Sequence, residues 1–434
     1  MSCNKNLGNL SGALIVIVIA AIVLAPPGVC AQSTYKTLHR FTGGARGSFP
    51  YAALTFDQGG NLYGTTVNGG RGLRADGTVF KLTSHSDGRW TERVLYNFCS
   101  LANCADGSFP FATLTFDQAG NLYGTTSGGG SNSAGTAFKL TPQADGSWTE
   151  SVLYSFCSLA NCADGWFPIG ALIFDHAGNL YDMAELGGKV GGSCGADGCG
   201  VVFKLTPHAD GSWTESVLHR FCSSTNCSDG WGGGASLTFD STGNLYGMTY
   251  RGGGFTCSCG VVFELTPNAD GRWTEKVLHR FNGNDGANPV VPLIFDQAGN
   301  LYGTTAIGGD TCDCGVAFEL TPNADGWTEE VLHRFNGNDG ANPVAPLNFD
   351  QAGNLYGTTL YGGDMSCDPG AGCGVVFKLS PDSKGGWLKT VVHYFAAHPG
   401  AQPSAGVVFD AAGNLYGTTG GDQDTYGSVF EITP

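Results

Sequence analysis

The chain has 434 residues, of which 70 are glycine and only 13% are charged, and its formal net charge is −16. This negative charge disfavours binding to nucleic-acid phosphates and to anionic membranes. A hydrophobic content of 41% at such low charge is unlike a disordered chain. High glycine with frequent Thr, Val, Phe and Tyr favours short strands joined by tight turns.

The N-terminus has the pattern of a secretory signal peptide. Lys5 precedes an apolar run at 13–24, which is too short to span a bilayer comfortably, and small residues allow cleavage before Gln32. A lipoprotein signal at Cys30 is the alternative. We therefore expect a secreted or periplasmic protein with no membrane span after signal removal. The predicted division is a signal peptide at 1–31 and a single mature domain at 32–434.

Three strings recur seven times each along the rest of the chain. The string Phe-Asp-x-x-Gly-Asn-Leu-Tyr begins at Phe56, Phe116, Phe174, Phe239, Phe295, Phe349 and Phe409. A string of the type Val-Phe-Lys/Glu-Leu has its aromatic residue at Phe80, Phe138, Phe203, Phe263, Phe318, Phe377 and Phe430. A string of the type Val-Leu-His/Tyr-x-Phe ends at Phe41, Phe98, Phe156, Phe221, Phe281, Phe335 and Phe395. A fixed set of strings at this spacing indicates a repeat architecture.

Each repeat contains four predicted strands. In the first complete repeat, strand a is expected at 53–56, b at 61–66, c at 78–83 and d at 90–98. Strand d shows apolar and polar residues in alternation, which is typical of a half-buried strand. The Asp-x-x-Gly-Asn segment between a and b predicts a tight turn capped by its Asp.

The two ends of the mature chain divide one repeat between them. Residues 35–41 have the pattern of strand d, and residues 428–433 have the pattern of strand c. A closed ring pairs these two strands, whereas an open solenoid needs capping repeats at its ends. Four-stranded repeats in a closed ring form a β-propeller. The predicted fold is therefore all-β, a seven-bladed propeller closed by pairing N-terminal strand d with C-terminal strands a–c.

The tandem pattern Phe-Asp-x-x-Gly-Asn-Leu-Tyr-Gly-Thr-Thr, followed by Val-Phe-Lys-Leu-Thr-Pro, resembles the GloVer tandem-repeat family of exported bacterial proteins. The resemblance covers nearly all of residues 35–434. It implies a secreted, sometimes surface-anchored propeller, and it supplies no established activity and no catalytic residue. More loosely, the pattern is similar to NHL propeller repeats.

Fourteen cysteines remain after Cys3 and Cys30, and they fall into seven local pairs. Three pairs follow a Phe of strand d: Cys99/Cys104, Cys157/Cys162 and Cys222/Cys227. Four lie in Gly-rich loops: Cys194/Cys199, Cys257/Cys259, Cys312/Cys314 and Cys367/Cys373. Such pairing is typical of disulfides formed in an oxidising compartment. Zinc is the alternative, but the pairs lie on successive repeats without adjacent His. The two Cys-x-Cys pairs would close small rings, so their oxidation stays open.

The long, variable d–a and b–c loops carry all 14 cysteines and emerge on one face of the predicted propeller, where we place any binding site. Blades 3 and 4 depart from the repeat on this face. The candidate ligand-binding residues are Trp166, Asp182, Glu185, Trp231, Tyr250 and Arg251. Aromatic rings beside carboxylates suit sugars or cations. The alternative is repeat drift, with both Trp side chains packed against the loop disulfides.

Two functions follow as hypotheses. The first is a non-catalytic binding or scaffold propeller with a polysaccharide or protein ligand. The second is a propeller enzyme, a hydrolase or lyase, that acts on glycans through Asp182 and Glu185. These residues are three apart on a strand and point to opposite faces, which counts against a glycosidase pair. The sequence predicts no cofactor, no metal, no nucleic-acid partner and a monomer; the segments 282–286 and 336–340 are only faintly similar to calcium loops.

Overall fold

Every repeat folds into one antiparallel sheet in the computed structural model, and seven such sheets form the ring of a β-propeller. The structure describes residues 33–434 except 235, 255–256, 310, 366, 368–369, 397–399 and 422–425. The predicted signal peptide therefore lies outside the described residues. Among those residues, no helix has the length and apolar character needed to cross a membrane.

The four strands recur in the same order in each blade. In blades 1 to 7, strand a spans Thr55–Phe56, Thr115–Phe116, Ile173–Phe174, Thr238–Phe239, Ile294–Phe295, Asn348–Phe349 and Val408–Phe409. Strand b spans Leu62–Thr66, Leu122–Thr126, Leu180–Leu186, Leu245–Arg251, Leu301–Thr305, Leu355–Thr359 and Leu415–Thr419. Strand c spans Thr78–Ser84, Thr136–Pro142, Val201–Pro207, Val261–Pro267, Val316–Asn323, Val375–Pro381 and Ser428–Thr433. Strand d spans Trp90–Asn97, Trp148–Ser155, Trp213–Arg220, Trp273–Arg280, Gly326–Arg334, Trp387–Tyr394 and, for blade 7, Thr34–Arg40.

Short 3-10 helices occur only in the connecting loops of the described chain. They span Gly44–Arg46, Ala102–Cys104, Ala160–Cys162, Gly192–Cys194 and Thr225–Cys227.

The ring closes as the sequence predicts. The N-terminal strand Thr34–Arg40 pairs antiparallel with the C-terminal strand Ser428–Thr433, and it completes blade 7 as its outer strand. Tyr35 lies opposite Ile432, and Arg40 lies opposite Ser428. The seven-bladed propeller and its mode of closure are therefore confirmed.

The core consists of aromatic contacts repeated between neighbouring blades. Phe98 at the end of strand d in blade 1 contacts Phe138 of blade 2 edge to face, with 4.9 Å between ring centroids. Both rings are fully buried. A side chain at Gly64 in strand b is excluded because its Cβ would lie 2.7 Å from the ring of Phe80. Burial of these large rings supplies most of the stabilisation that joins the blades.

The a–b turn is held by its Asp, as predicted. In blade 1, the Asp57 carboxylate accepts hydrogen bonds from the amides of Gly59 and Asn61 at 2.9 Å and from the Tyr63 hydroxyl at 3.0 Å. The recurring Asp is therefore a turn cap and not a catalytic acid.

Blades 3 and 4 each contain a fifth short strand that the repeat pattern did not predict. These strands are Trp166–Pro168 and Trp231–Gly233, and each pairs with the extended end of strand b in its own blade. Strand b has seven residues in these two blades and five in the others. The two departures from the repeat therefore change the backbone on the loop face.

Candidate functional site

All seven predicted cysteine pairs are disulfide-bonded, including both Cys-x-Cys pairs. The bonds join Cys99–Cys104, Cys157–Cys162, Cys194–Cys199, Cys222–Cys227, Cys257–Cys259, Cys312–Cys314 and Cys367–Cys373. Every bond lies in a d–a or b–c loop. This confirms the disulfide prediction, and oxidised sulfurs leave no thiolates for the zinc alternative.

A central channel runs between the seven copies of strand a. Its cavity of about 400 Å³ is lined mainly by small and apolar residues from every blade. On the side of blades 1 and 2, Tyr51 and Phe111 stack with nearly parallel rings, 6.2 Å between centroids. On the side of blade 4, Gly234 takes the corresponding place, and an added Cβ there would lie 3.5 Å from Cβ of Tyr250. Tyr250 therefore packs beside the channel wall at Gly234.

Trp231, Tyr250 and Arg251 meet at this side of the channel. Trp231 lies opposite Arg251 in the pairing of the fifth strand with strand b of blade 4. The Arg251 guanidinium carbon is 5.5 Å from the Trp231 ring and 5.2 Å from the Tyr250 ring. Arg251 is exposed, and both rings are half-buried. Two aromatic faces thus hold one guanidinium at the surface.

Glu185 joins this group from blade 3. Burial raises the pKa of the Glu185 carboxyl, and the charge of the Arg251 guanidinium opposes that rise from across the seam. We call Glu185, Trp231, Tyr250 and Arg251 the Trp231 cluster. Of the six predicted binding residues, the structure brings these four together.

The seam between blades 3 and 4 differs from the other seams at one backbone position. In blade 3, Pro168 packs on Gly135 of the preceding blade, where an added Cβ would lie 2.7 Å from the proline ring. Blade 4 has Gly233 at this position, and an added Cβ there would lie 2.9 Å from Cβ of Met183. The backbone of blade 4 therefore lies directly against strand b of blade 3.

Trp231 also has a structural contact. It packs against a buried cluster that includes both sulfurs of Cys194–Cys199 and of Cys222–Cys227. The Gly232 amide donates a hydrogen bond of 2.8 Å to the Cys199 carbonyl. The alternative raised from the sequence, that Trp231 packs against the loop disulfides, therefore holds for one part of the ring. The ring also contacts Arg251.

A family assignment follows from the repeats that build this site. A model of the Gloeobacter/Verrucomicrobia repeat matches residues 29–194, 106–290, 160–366 and 254–434, which together span the whole propeller. The chain belongs to this family. No curated protein matches the sequence of the chain.

Two solved structures resemble this Gloeobacter/Verrucomicrobia repeat protein at low sequence identity. The extracellular domain of a proposed one-component system from B. thetaiotaomicron is 11% identical, with a TM-score of 0.52 over 91% of this chain and 40% of that one. The repeat protein thus spans less than half the length of that structure. A luciferin-regenerating enzyme is 16% identical, with a TM-score of 0.40 over 74% of this chain and 90% of that one. The first likeness shows the fold alone, and the second supports no inference.

Asp182 of the repeat protein does not join the Trp231 cluster. Its side chain is 0% exposed, and neither carboxylate oxygen has a hydrogen-bond partner among the described residues. Burial holds the pKa of this carboxyl well above its ordinary value. The space for it comes from Gly170, where an added Cβ would lie 2.1 Å from Oδ1. The other repeats have Gly at the position of Asp182.

Trp166 is also separate from the Trp231 cluster. It lines a cavity of about 330 Å³ beside Asn161 of the d–a loop and Val190, Gly191 and Asp197 of the b–c loop of blade 3. The two tryptophans occupy the same position of the repeat in neighbouring blades, yet only Trp231 has an arginine partner. The sequence signal that distinguishes them is Arg251, which stands opposite Trp231, whereas Leu186 stands opposite Trp166.

The calcium-like segments close on themselves. The amide and Nδ2 of Asn282 donate to the Asp285 carboxylate at 2.8 and 2.6 Å, and the amide of Asn284 donates to the side chain of Asn282. These bonds make a compact turn rather than an open ring of oxygen ligands.

Proposed function

We propose that this protein is an extracytoplasmic binding propeller that holds a polysaccharide at the Trp231 cluster. The observation that carries the proposal is the guanidinium of Arg251, held over the rings of Trp231 and Tyr250. This arrangement is formed by the backbone of two blades and does not depend on one flexible loop.

The chemistry of the cluster suits sugars. Aromatic rings stack on the apolar faces of pyranoses, and their stiffness keeps the entropy cost of binding low. The guanidinium of Arg251 offers several donors to sugar hydroxyls or to a uronate carboxylate, which it binds in bidentate geometry. Glu185 supplies an acceptor on the other side of the seam. A cationic ligand would meet Arg251 directly, so we favour neutral or acidic glycans.

The proposed compartment rests on the disulfides. Seven disulfides within loops are typical of proteins that fold in an oxidising environment. The similar propeller from B. thetaiotaomicron is described as an extracellular domain, which agrees with this location. The predicted signal peptide would deliver the chain there.

A glycan-cleaving activity through Asp182 and Glu185 is less well supported by this geometry. A general acid must reach the leaving oxygen of its substrate. Asp182 is fully buried behind Gly170, so it has no access to a sugar on the loop face.

The test is a polysaccharide array with the mature protein, followed by affinity electrophoresis in gels that contain laminarin, a neutral glucan, or polygalacturonate, an acidic one. We expect retardation of the wild type by at least one array-positive glycan. Trp231→Ala and Arg251→Ala should abolish it, because Trp231 holds the guanidinium in place and Arg251 supplies the donors.

The matched control is Trp166→Ala, which truncates the same repeat position in the neighbouring blade and should bind like the wild type. Melting curves of all three variants exclude unfolding as the cause. Equal retardation of every variant would contradict the site. Binding to protein surfaces without any glycan binding would contradict the ligand class.

A further inference from the structure

A second kind of site lies at the outer strands, where strand d of one blade faces strand d of the next. Each seam places a strand-d side chain and a loop side chain of one blade against a strand-d side chain of the next blade. The first position holds His39, Tyr96, Tyr154, His219, His279, His333 and His393. The loop position holds Arg46, Asp106, Asp164, Asp229, Asp285 and Asp339 in the first six of these seams. The third position holds Glu92, Glu150, Glu215, Glu275, Glu329, Lys389 and Tyr35 in the same order.

In the seam between blades 4 and 5, these positions form a triad of His279, Asp285 and Glu329. One donor atom from each lies within 4.8 Å of the other two. Nε2 of His279 is 3.2 Å from Oδ2 of Asp285. Ligands at 2.0–2.2 Å from one metal ion are separated from each other by roughly 3.0–3.5 Å. The imidazole and the first carboxylate are thus already at the separation that a shared ion requires.

Two donor atoms of this triad are buried without a hydrogen-bond partner among the described residues, namely Nε2 of His279 and Oε1 of Glu329. The His279–Asp285 contact is short but has no hydrogen-bond geometry, unlike His333 and Asp339 in the next seam, which form a hydrogen bond of 2.9 Å. Buried polar atoms are normally satisfied. Unpaired His nitrogens and Glu oxygens recur in other seams, so the closeness of the three donor atoms distinguishes this triad.

In two other seams, a lysine or arginine side chain occupies one of the three positions. In the seam between blades 5 and 6, Lys389 replaces Glu, and its ammonium lies 3.3 Å from Oδ2 of Asp339 while its side chain is only 7% exposed. In the seam between blades 7 and 1, Arg46 replaces Asp and lies 3.4 Å from the Glu92 carboxylate. The triad of blades 4 and 5 has two carboxylates, and the nearby Arg334 guanidinium donates to the carbonyls of Gly309 and Asn284 instead.

Among the described residues, no other carboxylate seam brings its three donor atoms within 4.8 Å of one another. Tyr96 and Tyr154 donate their hydroxyl protons to Asp106 and Asp164, at 2.9 and 2.8 Å. The seam between blades 3 and 4 has the same residue types, and Asp229 accepts hydrogen bonds from the amides of Ser223 and Ser224, as Asp285 does from Asn282. Nε2 of His219 lies 3.6 Å from Asp229, farther than in the triad.

We propose that His279, Asp285 and Glu329 bind one Zn²⁺ ion that joins blade 4 to blade 5. One imidazole nitrogen and two carboxylate oxygens, with water in the fourth position, form a zinc-type ligand set, whereas Ca²⁺ and Mg²⁺ require more oxygen ligands. The side chain of Asn282 donates to Oδ2 of Asp285 at 2.6 Å and orients this ligand from behind. The ion has a structural role, because the triad lies on the outer strands and away from the Trp231 cluster.

The experiment uses the mature protein without a polyhistidine tag, treated with EDTA and then dialysed against ZnCl₂. We expect about one zinc per chain by elemental analysis and a rise in Tm of about 2–4 °C at saturating zinc. CaCl₂ at the same concentration should leave Tm unchanged. Absence of bound zinc, or an equal shift with calcium, would overturn the proposal.

Two variants copy arrangements that the chain already contains. Glu329→Lys reproduces Lys389, and His279→Tyr reproduces Tyr154. Both should fold, and both should lose zinc binding by about tenfold or more. Glu329→Lys should melt at or above the zinc-free wild type, because its ammonium replaces the ion. His208→Ala, which removes an exposed imidazole on a c–d turn, should keep the zinc. Zinc retained in the first two variants, or lost in His208→Ala, would show adventitious binding and overturn the site.

Discussion

Arg251 and Trp231 lie opposite each other where strand b of blade 4 pairs with the fifth strand, and the guanidinium carbon is 5.5 Å from the indole ring. The contact joins two departures from the repeat: a longer strand b and a fifth strand. A five-residue strand b, as in the blades other than 3 and 4, would end before Arg251 and would not pair with Trp231. The relationship therefore separates blade 4 from an ordinary member of the ring.

Trp231 and Arg251 should contribute very differently to stability. Trp231→Ala removes packing against the two loop disulfides and should cost about 2 kcal/mol, less than a fully buried tryptophan would. Arg251→Ala loses only an exposed cation–π contact and should cost about 0.5–1 kcal/mol. Urea unfolding of both variants at neutral pH measures the difference. A larger loss for Arg251→Ala would mean that the guanidinium is structural rather than available to a ligand.

Asp182 is expected to destabilise the fold, because a buried carboxyl without partners loses its hydration. The double change Asp182→Gly with Gly170→Ala restores the pattern of the other blades and should stabilise the protein by about 1–3 kcal/mol. Because the folded pKa of Asp182 lies above its unfolded value, the gain should grow as pH rises through and above the unfolded pKa of about 3.9. Chemical unfolding at acidic and alkaline pH tests this.

Gly170→Ala alone provides the control for that prediction. Its added Cβ would collide with the Asp182 carboxylate at 2.1 Å, so the single change should be strongly destabilising. A double variant that is no more stable than the wild type would show that Asp182 has a partner when the protein is in solution.

Glu150 and Glu215 should make stability fall with rising pH. Burial, with a smaller contribution from Asp106 or Asp164, raises the pKa of each carboxyl to about 8. The folded state then binds more protons than the unfolded state between the unfolded pKa and about pH 8, so unfolding becomes easier across that window.

The matching variants are Glu150→Gln and Glu215→Gln. Each should equal the wild type at about pH 4 and exceed it by about 1–2 kcal/mol at about pH 9, after allowance for solvent screening. Glu431→Gln is a suitable comparison on strand c. Thermal melts over this pH range decide the matter, and parallel curves for wild type and variants would contradict the raised pKa values.

The sequence was sufficient for the fold because each blade is a local unit. Patterns within one repeat predict the Asp57 turn and the buried Phe80. The incomplete repeats at the two ends of the mature chain predict the blade that the termini share. The disulfides follow equally well, since each bond joins residues at most six positions apart.

The sites were less predictable because they form between blades. Glu185 and Arg251 belong to different repeats. Their distance depends on the spacing of blades 3 and 4, and Gly233 allows a close spacing because it has no side chain. His279 and Glu329 likewise meet only because consecutive strands d lie side by side. Asp182 was chosen from its unusual identity, but its direction, behind Gly170, required the three-dimensional structure.

The most direct test of the proposed function is isothermal titration of the mature protein with an oligosaccharide from an array-positive glycan. Wild type and Trp166→Ala should bind with equal affinity, and Trp231→Ala should bind at least about tenfold more weakly, as expected for loss of an aromatic anchor. Equal affinities for Trp231→Ala and the wild type would contradict a polysaccharide site between blades 3 and 4.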